Sequence, residues 1–168
     1  MRLRHRLVEA ALVAALIQIT LGVLLGVLEG FGKSPYSFSP AGVMVNLFTV
    51  GGILLGMGSS RAYAVCHLGG RRPVLAVVLV ALVYTLFLLP PAKLTRLEAD
   101  PETIRFVAST LLPGLAESLF ATVAAYLGGV LPALAYRGVL EAFRWFCPLL
   151  PNLSWATAAL LGTLAPAV

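Results

Sequence analysis

The chain has 168 residues, enough for one domain, with 60% hydrophobic and 11% charged residues, against about 45–50% and about 25% in soluble domains. Its mean hydropathy of +0.95 excludes a soluble globular fold, which would have to expose most of that apolar surface. The net charge of +5 does not point to nucleic acid, because the basic residues sit between apolar runs and form no stripe or nucleic-acid motif. The composition predicts an all-α fold, a polytopic bundle of transmembrane helices in a single domain.

Taken in chain order, the first apolar run covers about 7–30 and follows Arg2, Arg4, His5 and Arg6. It is longer than the roughly 7–15 residues of a cleavable signal core and no A-x-A site follows, so it reads as a retained span. Residues 31–40 are turn material, and Ser39 as N-cap with Pro40 at the first helical position opens a second span over about 41–66. That span is rich in glycine, and Gly52-x-x-x-Gly56 is a candidate site of close helix packing. Leu68-Gly69-Gly70 supplies a stop, and Pro73 opens a third span over about 73–90.

The segment Ala92–Thr103 is the most hydrophilic, and Asp100-Pro101-Glu102 forms an N-terminal cap for a fourth span over about 101–127. Leu127-Gly128-Gly129 followed by Pro132 repeats the Leu68-Gly69-Gly70 and Pro73 spacing. Stop and start chemistry accounts for the repeat without a duplicated helix pair. In residues 132–147, Arg137, Glu141 and Arg144 share one helical face, as expected of an amphipathic helix lying in the membrane interface. The alternative is the start of a long spanning helix. Pro148 and Pro151 end it, and Asn152 or Ser154 caps a last apolar run over about 153–168, with Trp155 at belt position. That run is shorter than the roughly 20 residues a span needs. It is therefore expected to be a truncated fifth span, leading outward into a longer protein.

With the N-terminus in the cytoplasm, Arg2, Arg4, Arg6, Arg61, Arg71, Arg72, Arg137 and Arg144 fall inside and Lys33, Lys93, Arg96 and Arg105 outside. Eight against four obeys the positive-inside rule and predicts a multi-pass protein of the plasma membrane. Cys66 and Cys147 then both lie at cytoplasmic ends as reduced thiols. Apart from Cys66-His67, no cysteine or histidine stands at ligand spacing, so no metal and no cofactor is expected.

Glu117 is the leading candidate for chemistry. It lies mid-span, one turn after Pro113-Gly114, and Pro113 frees the carbonyl of Ser109. An ionisable group at that depth suggests an ion- or proton-coupled site. The alternative is a structural carboxyl that locks the fourth helix against Gln18 or Asn46, the other deep polar residues. Glu9 and Arg61 are expected to snorkel, and His5 and His67 to be solvated. There is no catalytic motif: no HExxH, no G-x-S-x-G, no Walker sequence. The Arg137-Gly138 step lacks the glutamate pair and histidines that intramembrane CAAX-type proteases need.

Three stretches, Ser34–Tyr63, Arg71–Pro91 and Leu131–Trp155, together resemble the polytopic membrane region that precedes the catalytic domain of some signal-peptidase-like proteins of bacteria and archaea. The resemblance implies an anchor or scaffold for a serine-lysine or serine-histidine protease domain outside the membrane. The Ser-x-Met context of the family's nucleophile is absent, so no catalytic residue carries over and this chain is not catalytic by itself. Expected partners are the lipid bilayer, other membrane subunits or a missing exoplasmic domain, and no nucleic acid. The other function in view is a small stand-alone transporter or channel subunit working around Glu117.

Overall fold

A computed structural model of the chain describes residues 2–36, 38–89 and 101–167. The fold is a bundle of helices α1 (Arg2–Glu29), α2 (Pro40–Leu68), α3 (Pro73–Leu88), α4 (Pro101–Gly128), α5 (Val130–Phe146) and α6 (Trp155–Leu164), the last followed by a short 3-10 turn, Ala165–Ala167. Two strands, β1 (Phe31–Lys33) and β2 (Leu149–Pro151), make an antiparallel ribbon in which Phe31 faces Pro151 and Lys33 faces Leu149. Three helices, Leu3–Glu29, Pro40–Leu68 and Pro101–Gly128, are long and apolar enough to cross a membrane. The exterior is correspondingly apolar: Phe48 is 73% exposed and Phe87 77%.

Local chemistry sets the helix ends. The Ser39 hydroxyl accepts from the Gly42 N–H at 3.1 Å and Pro40 occupies the first turn, which opens α2. Gly69 closes it. Ser154 caps α6, accepting from the Thr157 N–H. The expected Asp100 cap, the loop before Pro101 and the end of the third span at Pro90 lie outside the described residues. Before Pro113, residues Val107–Leu111 form a π turn in which the Leu112 N–H reaches the Val107 carbonyl. A proline has no N–H to give its preceding turn, and the wider turn absorbs that loss without breaking the helix. Gly129 links α4 to α5 at φ 80° and ψ −156°, a conformation that requires glycine. Gly69 has φ −73°, so the two Leu-Gly-Gly stops share residues and not geometry.

Helix α4 is central, touching all five other helices, and α1 packs most extensively on α5. The core is built on small residues: Ala11, Ala15 and Ala121 meet Tyr136 and Leu140, and a second cluster joins Ala62, Val65, Val80, Ala125 and Ala133. Small side chains let helix backbones approach where lipid offers no hydrophobic drive.

The helix expected over 132–147 is present as α5, and it packs along the bundle on α1, α2 and α4. Helix α5 begins at Gly129, beside Arg4, and ends in β2, which pairs with the strand that follows α1. It thus runs the length of the bundle, antiparallel to α4, with its polar face turned inward onto α1, α2 and α4. Its 17 residues extend about 26 Å at 1.5 Å per residue. Helix α6 starts where Ser154 and Thr157 bond to Glu29 at the far end of α1, and it runs back along the bundle so that Leu161 meets Gly22 and Gly162 meets Pro113. Cys66 and Cys147, expected together, lie at opposite ends of the bundle.

Candidate functional site

The polar residues of the bundle gather in two regions on either side of α4 and α5. In the first, Glu117 is 4% exposed, and one of its oxygens, Oε1, accepts from Gln18 Nε2 at 2.9 Å and from Arg144 Nη2 at 2.9 Å. Gln18 is oriented in turn by the Tyr136 hydroxyl, which donates to its Oε1 at 2.7 Å. Tyr136 is fully buried against Phe120, with ring centroids 4.4 Å apart. The chain Tyr136–Gln18–Glu117–Arg144 therefore ties α5, α1 and α4 together and returns to α5.

Arg144 continues the network along its own helix. Its Nη1 approaches Glu141 Oε1 at 3.4 Å, Arg137 Nη2 donates to the same oxygen at 3.3 Å, and Trp145 Nε1 donates to Glu141 Oε2 at 3.3 Å. Trp145 stacks on Tyr36 at 4.0 Å, fastening the end of α5 to the segment after β1. The Arg144 side chain is 45% exposed and borders a cavity of about 240 Å³ with Gln18, Gly22, Leu140 and Leu161.

In the second region Arg61, 3% exposed, reaches from α2 to α4. Its Nη1 donates to the Ser118 carbonyl at 2.9 Å and the Thr122 hydroxyl at 3.3 Å, and its guanidinium lies 4.6 Å from the centre of the Tyr84 ring. Ser118 also donates to the Ala81 carbonyl at 3.0 Å, and Tyr84 to Ser60 at 2.6 Å, which binds α3 into the cluster.

Of the sequence-derived candidates, Glu117 and Gln18 are brought into contact. Asn46 is half-buried and makes no hydrogen bond among the described residues. Gly52 and Gly56 meet no other element; the close approach is at Gly58, where a Cβ would stand 2.6 Å from Leu134. Arg61, expected to snorkel, is buried. His5 pairs with Glu9 at 3.4 Å and His67 stacks on Tyr63.

Sequence reasoning missed Arg137, Glu141 and Arg144 as interior partners. The signal was present: a deep carboxylate needs a cation, and the face shared by Arg137, Glu141 and Arg144 carries two. Arg61 is buried, and Arg137 and the partly exposed Arg144 are held by Glu141 and Glu117, so of the eight arginines expected on one flank only Arg2, Arg4, Arg6, Arg71 and Arg72 are left without an interhelical role. Among the described residues no group of three or more His, Cys, Asp or Glu could hold a metal ion. The chain matches no family model, no curated protein and no solved structure.

Proposed function

We propose that the chain is an integral membrane scaffold of the plasma membrane, with α1 to α4 as four full spans and the N-terminus cytoplasmic. On the resemblance stated above, it is the membrane region of a signal-peptidase-like protein. The observation that carries the scaffold reading is the state of Glu117: both of its neighbours at hydrogen-bond distance are fixed donors, one of them a guanidinium. A carboxylate so held is a lock between helices, whereas a coupled site needs a carboxyl free to exchange its proton or ion. The cytoplasmic N-terminus rests on Arg2, Arg4, Arg6, Arg71 and Arg72.

Glu117→Gln tests this in proteoliposomes. It keeps an acceptor for Gln18 and loses the ion pair, whose partner Arg144 is nearly half exposed. The expected result is normal insertion, a stability loss of about 1 kcal/mol, discounted for that exposure, and no change in proton or sodium flux. The cavity beside Gln18 and Arg144 favours a second reading, a small transporter or channel subunit. A wild-type flux abolished by Glu117→Gln at unchanged stability would establish that reading and end the scaffold one.

A further inference from the structure

Among the described residues, Arg61 is the buried cation that no carboxylate pairs with. Its Nη1 makes both hydrogen bonds, to neutral oxygens, while Nη2 and Nε make none among the described residues. No described carboxylate forms an ion pair with it. Among the described residues, Arg137 and the partly exposed Arg144 are paired with Glu141 and Glu117, which leaves Arg61 as an unmatched positive charge. No buried side-chain nitrogen among the described residues lacks a partner, so Nη2 and Nε are not sealed in the core and are open to an acceptor from outside the chain.

Arg61 and the ion pair Arg137–Glu141 line a groove of about 200 Å³ between α2 and α5, whose other wall residues on α2 are Val50, Ile53, Leu54, Met57 and Gly58, so the groove carries a net charge of +1. Only 6% of the apolar window of α2 is buried, so the groove opens on the lipid-facing side of the bundle. From Val50 to Arg61 is about 16 Å along the helix at 1.5 Å per residue, half of a hydrocarbon layer about 30 Å thick. Arg61 closes that stretch about 10 Å from the end of α2.

We propose that this groove seats one anionic phospholipid. Its phosphate accepts from Nη2 and Nε of Arg61, with Arg137 as a second nearby cation, and one acyl chain lies along Val50, Ile53, Leu54 and Met57. The charge surplus selects an anionic headgroup, and the apolar length of the groove selects a lipid over a soluble anion. The inference goes beyond the scaffold reading and stands if that reading falls.

The test is native mass spectrometry of the full chain in neutral detergent, titrated with phosphatidylglycerol and phosphatidylcholine of equal chain length, with inorganic phosphate as competitor. One phosphatidylglycerol is expected to be retained, at an affinity at least about tenfold above phosphatidylcholine. Arg61→Gln is expected to erase that preference. Met57→Trp, which leaves Arg61 in place and fills the groove, is expected to expel the lipid and decides the matter if Arg61→Gln does not fold. Arg72→Gln, on the exposed flank, is expected to change nothing. Equal retention of the two lipids, a preference that survives Met57→Trp, or displacement of the lipid by equimolar inorganic phosphate overturns the proposal.

Discussion

Glu117 and Ser118 are neighbours on α4 that serve opposite sides of the helix, and the two polar regions they serve are built on different terms. Around Glu117 each acid meets a cation and the amide between them is held by a tyrosine hydroxyl. Around Ser118 a single guanidinium is held by a backbone carbonyl, a hydroxyl and a ring face. The first region is closed in charge: its two acids and two arginines cancel. The second is open, with two nitrogens of Arg61 that make no hydrogen bond among the described residues, beside the groove between α2 and α5. Helices joined by a closed network gain a fixed register, whereas an open one offers a place for a ligand.

Deleting one ion from each region is the most direct way to break this contrast. Glu117→Leu leaves Arg144 without its nearest anion and Gln18 without its acceptor, and is expected to cost about 3 kcal/mol in a detergent-denaturation equilibrium. Adding Arg144→Met removes the stranded cation and is expected to recover about 2 kcal/mol of that loss. A double variant no more stable than the single one would show that the pair is not a unit.

The packing between the regions gives the next effect in size. Gly58→Ala puts a Cβ 2.6 Å from a Leu134 methyl, and its expected cost is about 1.5 kcal/mol in the same assay. Gly56→Ala meets nothing within 4 Å and is expected to gain about 0.5 kcal/mol from helix propensity alone. The reverse order would mean that the Gly52–Gly56 face is occupied by a partner in the detergent-purified protein.

Arg61→Met gives the smallest effect. In neutral detergent the loss of two hydrogen bonds is offset by removal of an uncompensated buried charge, and stability is expected to stay within about 0.5 kcal/mol of wild type. A loss as large as that of Glu117→Leu would erase the difference between the two regions.

Much of the skeleton was legible in the residues. Ser39-Pro40, Pro73, Pro113, Gly129 and Ser154 each act through backbone chemistry within a few residues, and each marks a helix start, turn or distortion where expected. Glu117 was legible because a carboxylate deep in an apolar run is costly wherever its helix packs. The β1–β2 ribbon was not, since Phe31-Gly32-Lys33 and Leu149-Leu150-Pro151 show no alternation and pair across most of the chain.

Composition and local pattern by themselves determined that the chain is helical and apolar enough for a membrane, and set the bounds of its long helices. Tertiary structure alone decided which way the charged face of α5 turns. An amphipathic helix has the same periodicity whether its polar side meets headgroups or the interior of a bundle, and only the presence of Glu117 and Gln18 opposite that side distinguishes the two. From that one choice follow the direction of α6, the placement of both cysteines and the Arg144–Glu117 pair, because each extra traverse inverts the side reached by everything downstream.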